Sequence, residues 1–152
     1  MTEHYTCVDG RIEEILREHG VYASVVCGVS MRPMLRQGRD IVYIMPLGDS
    51  VKKYDVLLYR LNGRYILHRV IGFYPEGYVI RGDNTYKKEY IPKDDVVGIL
   101  TKYYKKGKER SAKNRLFFFY GMLVQVFYIP RFLFVRLRAR LIGLLKRLKK
   151  EN

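Results

Sequence analysis

Two side chains of this chain have the chemistry to share one reaction, Ser30 and His68. Ser30 lies in Gly28-Val29-Ser30-Met31-Arg32-Pro33-Met34-Leu35, where an extended apolar run stops and a turn begins. A hydroxyl so placed can act as a nucleophile when a base accepts its proton. His68 lies thirty-eight residues later in a second apolar run, Tyr65-Ile66-Leu67-His68-Arg69-Val70-Ile71, and is one of only three histidines. Its imidazole, with an unperturbed pKa near 6.5, is mostly neutral at pH 7 yet can hold a proton transiently. Taken singly, a strand-ending serine caps a helix or closes a turn, and a histidine in a strand is an ordinary polar residue. The pair acquires meaning only if the fold brings them together.

The elements that must do so are short. Val21-Tyr22-Ala23-Ser24-Val25-Val26-Cys27 is β-branched and aromatic and reads as a strand ended by Gly28, with Pro33 suited to the first turn of a short helix. Ile41 to Met45, Val56 to Arg60, the His68 run, Tyr78 to Arg81 and Val96 to Thr101 read as further strands. Asn62-Gly63 is a hairpin signal between two of them. Asp9 to His19 reads as an amphipathic helix stopped by Gly20 and covering the sheet. Six or so strands without a long helix between them predict a mainly β fold, a compact bent sheet or a partly closed barrel, with a short N-terminal helix and C-terminal amphipathic helices. The expected organisation is an N-terminal helix over 1–20, a catalytic domain over 21–104 and a basic tail over 105–152.

Ser-Met-x-Pro at Ser30, then His-Arg-Val-Ile at His68, then Gly-Asp-Asn at Gly82 resembles the signal peptidase superfamily, which also holds the self-cleaving SOS-type repressors. Bacterial leader peptidases and the repressors use a lysine base. The archaeal and endoplasmic-reticulum enzymes use histidine, and His68 falls where that histidine is expected. The likeness runs from about Val21 to Tyr103. It implies a serine endopeptidase acting on extended peptides, with Ser30 as nucleophile and His68 as base. It also implies a carboxylate to orient the imidazole, and two candidates match. Asp83 stands in the family's glycine-aspartate pair, and Glu89 stands where the histidine-type enzymes often carry an aspartate.

The chain departs from the family in three places. Arg39 separates the glycine and aspartate that normally adjoin before the second strand. Gly28 occupies the position from which many signal peptidases supply an oxyanion-binding hydroxyl, so a second donor beside the Ser30 N–H must be backbone. Met1 to Gly20 is polar with five acidic residues, where a secretory or membrane-spanning segment is usual. Lys52 and Lys53, in a turn, are expected to be exposed and too basic to replace His68. Arg81-Gly82-Asp83 spells an adhesion tripeptide, which three residues do by chance. No glycine-rich phosphate loop or metal-spaced Cys/His cluster is present, and no cofactor is implied.

Charge divides the 152 residues unevenly. Residues 1–101 hold 14 Lys/Arg against 13 Asp/Glu, whereas residues 102–152 hold 15 against 2, so nearly all of the +14 net charge lies in the last third. Leu116 to Ile129 is a run of fourteen largely apolar residues, about 21 Å as a helix, short of the roughly 30 Å hydrocarbon core. Leucines at 133, 137, 141, 144 and 148 then alternate with Arg and Lys as in a basic amphipathic helix. The expected partners are a peptide or protein substrate and an anionic membrane surface, with the body on the cytoplasmic face. Nucleic acid fits poorly, because the basic charge is mixed with a Phe/Leu-rich run. The rival reading is a non-catalytic β module whose tail binds lipid or nucleic acid. Two cysteines make no disulfide framework, and Cys27 is expected to pack as a thiol with a fold that does not depend on oxidation.

Overall fold

Apolar residues in consecutive positions demand cover on both faces of a strand. The central strand Val56–Leu61 meets that demand, with Val56, Leu57, Leu58 and Tyr59 all buried. In the computed structural model, which describes residues 11–48, 50–128, 130 and 138, this strand is the third of eight. They are β1 (Tyr22–Val25), β2 (Ile41–Met45), β3 (Val56–Leu61), β4 (Arg64–Tyr74), β5 (Gly77–Arg81), β6 (Glu89–Pro92), β7 (Val96–Lys105) and β8 (Lys108–Ser111). Helix α1 (Ile12–His19) precedes them and α2 (Arg115–Val126) follows.

The strands form one antiparallel sheet in the order β1-β2-β7-β3-β4-β5-β6, with β8 beside the far end of β7. The sheet is bent and unclosed, which decides between the two expected architectures. Register shifts at Tyr43/Ile44, Leu58/Tyr59 and Val70/Gly72 mark where ladders slip a residue, as bulges do when they bend a sheet. Asn62 and Gly63 take positive φ (51° and 73°) in the β3–β4 turn, as the hairpin signal predicted.

Each face carries its own core. On one side lie Val42, Ile44, Val56, Leu58, Leu67 and Leu100, covered by Ile12 and Leu16 of α1, Met31, Met34 and Leu35 of the turn after Ser30, and Phe117 of α2. On the other lie Leu57, Tyr59, Val70, Tyr78, Ile80 and Ile91. Full burial of an Ile or Leu such as Ile12 or Leu16 contributes about 1.5–3 kcal/mol, enough to fix so short a helix on the sheet.

Some elements differ from the expectation. β6 and β8 were not legible as strands, because Glu-Tyr-Ile-Pro and Lys-Glu-Arg-Ser lack apolar alternation. The short helix expected at Pro33 is only a turn, in which Arg32 N–H donates to Val29 O (3.1 Å) and Leu35 N–H to Met31 O (2.9 Å). Cys27 is disulfide-bonded. It lies half-buried just beyond edge strand β1, so the expectation of a thiol does not hold. β7 runs through position 104 to Lys105, and β8, Ala112 and Phe117 pack with the body. Among the described residues no helix is long and apolar enough to cross a membrane. The leucine-rich basic stretch beyond residue 130 lies, apart from Arg138, outside the described residues.

Candidate active site

Strand pairing explains how residues far apart in sequence meet. Across β3, β4, β5 and β6, Leu57 pairs with His68, Val70 with Ile80, and Ile80 with Glu89. Directly paired residues share a face, and so do residues two apart along a strand. The ladder therefore puts Tyr59, His68 and Glu89 on one face.

Their side chains touch. His68 Nδ1 lies 3.1 Å from Glu89 Oε2 and 2.9 Å from the Tyr59 hydroxyl, and the Tyr59 O–H donates a short hydrogen bond to the same Glu89 oxygen. Both members of the His68–Glu89 pair are mostly shielded from solvent, with side-chain exposures of 9% and 15%. Burial alone would raise the Glu89 carboxyl, but hydrogen bonds from His68 and Tyr59 outweigh it and hold the group below its ordinary value. Burial, then the bond to Glu89, pushes the Tyr59 phenol well above its usual range, so it remains a donor. An ionised carboxylate can only accept, so Nδ1 carries the imidazole proton. The other ring nitrogen, Nε2, is left as a lone pair, and it is buried without a hydrogen-bond partner among the described residues.

The loop after β5 holds the backbone of the Ser30 turn. The Asn84 N–H donates to Ser30 O (2.7 Å), and Asn84 Nδ2 donates to Val29 O (3.2 Å). Gly82 lies between this turn and the imidazole. A Cβ added at Gly82 would fall 2.8 Å from His68 Nε2 and 2.8 Å from Ser30 O, so those two atoms flank one point. Only a residue without a side chain fits there. Gly28, with φ at 92°, occupies a backbone region that L side chains rarely adopt, which gives its lack of a hydroxyl a conformational reason.

Asp83 takes a different partner. Arg69 Nε and Nη2 donate to its two carboxylate oxygens at 2.7 and 2.8 Å, and neither side chain is exposed. Arg69 also donates to Tyr54 O (2.8 Å). Of the two carboxylates matched by the family resemblance, Glu89 contacts the imidazole and Asp83 anchors the loop that holds Ser30.

Arg39, between Gly38 and Asp40, also has a structural role. It donates to Asp40 through Nε (2.6 Å) and Nη2 (2.9 Å), while Arg36 N–H donates to the same carboxylate (2.9 Å), so these bonds close the turn before β2. Lys52 and Lys53 are exposed, and Arg81, Gly82 and Asp83 are buried, which removes the adhesion reading.

Beside Ser30 an apolar cleft runs along β1, with Tyr22, Val26 and Met31 on its walls and Val42, Ile44, Leu58 and Leu67 beneath. β1 pairs only with β2, so its outer backbone edge is open among the described strands. Tyr59 and Arg69 are the members that sequence reasoning missed. Tyr59 reads as one more apolar residue of its strand. Arg69 carried a usable signal, since an arginine inside an apolar strand must find a carboxylate. Among the described residues no group of three or more His, Cys, Asp or Glu side chains is placed to hold a metal ion. No protein-family model matches the chain, and no curated protein matches it.

Proposed function

We propose that this protein is a serine endopeptidase working at a membrane surface, with Ser30 as nucleophile, His68 as general base and Glu89 as the group that orients and charges the imidazole. The observation that carries the reading is the polarity of His68: Nδ1 is tied to an acid while lone-pair Nε2 is unpartnered and set against the Ser30 turn across Gly82. Most buried polar atoms are hydrogen-bonded, so a lone pair left open here calls for a reason.

In this reading an extended peptide docks beside the open edge of β1, its side chains entering the apolar cleft. His68 Nε2 takes the Ser30 proton as Oγ attacks the scissile carbonyl, and the imidazolium is stabilised by Glu89. The Ser30 N–H donates to the oxyanion. Nε2 then returns the proton to the leaving amine, and water, deprotonated by the same nitrogen, releases the acyl group and regenerates Ser30. Asp83 acts only through Arg69 and the loop.

The basic last third supplies the attraction to an anionic surface. Disulfide bonding at Cys27 favours an oxidising compartment over the cytoplasmic face expected from the sequence.

The test is the full chain against a library of quenched peptides carrying small residues near the cut. Wild-type protein is expected to cleave, and Ser30→Ala, folded by circular dichroism, to lose cleavage. Unchanged processing by Ser30→Ala would remove the proposal.

A further inference from the structure

Helix α2 has two sides of opposite character. Its inner side is committed to the body: Phe117 and Gly121 are buried, Gly121 abuts Tyr54 and Arg69, and Gln125 accepts from Arg81. Its outer side is apolar and bare. Leu116 is 78% exposed, Phe119 51%, Leu123 49% and Val126 63%, and Phe127 continues the row. Spacings of three and four residues align these side chains on one stripe of the helix. A soluble surface does not ordinarily present five large apolar residues in line.

The ground beside the stripe is basic. Lys102, Lys106, Lys108, Arg110, Lys113 and Arg115 are all exposed along the end of β7, the turn to β8, β8, the loop after it and the first residue of α2, and Glu109, the acid among them, pairs with Lys102 at 3.0 Å. A cleft between β8 and the start of α2 joins the two characters. Lys106 and Arg110 stand at its rim, Ser111 and Asn114 add polar groups, and Leu116 and Phe117 form apolar lining.

We propose that this face is a docking surface for anionic phospholipid, the cleft taking the charged headgroup and the α2 stripe entering the acyl boundary. The charge selects the occupant. A protein partner for an apolar helix face needs apolar complementarity, whereas a stripe bordered by six cations matches a surface that is apolar within and negative at its rim. Such a helix lies in the interface with its apolar side about 5–10 Å deep. The inference rests on the membrane part of the reading above and not on the peptidase part. Because the inner side of α2 sits on Arg69 and Arg81, the bilayer would lie on the face of the sheet away from His68.

The test uses the full chain and co-sedimentation with vesicles of equal parts phosphatidylglycerol and phosphatidylcholine, or of phosphatidylcholine alone. Wild-type protein is expected to bind the anionic vesicles and to lose binding as salt rises. Phe119→Asp/Leu123→Asp, which alters exposed positions, should weaken binding at least about tenfold. Lys106→Gln/Arg110→Gln should weaken it about thirtyfold, at about 1 kcal/mol for each cation near an anionic surface. Both should cleave a soluble peptide at the wild-type rate, which separates failure here from failure of the peptidase reading. Equal binding to both vesicle types would overturn the proposal, as would suppression of wild-type binding by inorganic phosphate with no vesicle preference. If the Asp variant still binds vesicles but melts earlier, the stripe is covered by the chain's own later residues. If the stripe drives a concentration-dependent dimer that the Asp variant abolishes while vesicle binding persists, its occupant is a second copy.

Discussion

His68 and Arg69 are neighbours in one strand and each meets a carboxylate, yet the two pairs are built for opposite ends. Alternation along β4 sends them to opposite faces. Arg69 enters the core under α2, where Asp83 accepts two of its N–H groups and Tyr54 O a third, with no exposure on either charged side chain. His68 reaches the other face, where Glu89 and Tyr59 engage one nitrogen and leave the second unpartnered. A closed pair has no lone pair to lend, so it holds structure. A half-satisfied pair leaves one lone pair uncommitted. The family resemblance offered Asp83 and Glu89 as alternatives, and the parity of β4 is what separates their partners.

Several substitutions would break or sharpen this contrast. Glu89→Gln should have the largest effect. Its amide can present N–H to Nδ1, which moves the ring proton onto Nε2 and removes the base, so peptide cleavage should fall by about 10³–10⁴-fold. Its melting temperature should stay near wild type, and an equal loss of stability would mean that the two pairs do not differ as described. Asp83→Ala should do the reverse. An uncompensated guanidinium in the core should cost about 3–5 kcal/mol in urea unfolding, with any activity loss following the unfolded fraction. Retained stability would mean that Arg69 is not held as described.

Acid should act through Glu89 and through Asp40 in the turn before β2. Glu89 and Asp40 are both held below their ordinary values. Burial opposes this in each case, but it is outweighed by hydrogen bonds from His68 and Tyr59 to Glu89 and from Arg39 and Arg36 to Asp40. A depressed folded-state pKa gives stability that is complete above the unfolded value near 4 and is lost as pH falls through the lower folded value. Urea midpoints should therefore be flat from pH 7 to about 5 and fall below about 4. A midpoint that rises on acidification would contradict the sign. The smallest change should come from Tyr59→Phe. Without the phenol, Glu89 Oε2 loses one donor but keeps its contact with Nδ1, so peptide cleavage should fall only a fewfold. A loss as large as that of Glu89→Gln would mean that the carboxylate alone does not hold the ring.

The legible part of this molecule was whatever local chemistry fixes. The Asn62-Gly63 turn, the apolar strands and the stop at Gly20 follow from residues within a few positions of one another. Ser30 and His68 could be named because each sits in a distinctive block, and Glu89 because the resemblance offered it. The choice between Glu89 and Asp83 required register, since a shift of one residue in β4 would have exchanged their partners. β8 could not be foreseen because Lys-Glu-Arg-Ser owes its extension to pairing with β7 and to nothing in its own composition. Tyr59 stayed hidden for a related reason, since its hydroxyl matters only after β6 brings a carboxylate to it.

Gly82 carries a consequence for the history of the chain. It stands where the backbone of the Ser30 turn and the His68 ring come together, and a Cβ there would lie 2.8 Å from both the Ser30 carbonyl oxygen and His68 Nε2. Every other residue type would drive a wedge into that seam. Drift can revise the cleft walls or the basic patch one step at a time, but position 82 offers no neighbouring variant through which to pass.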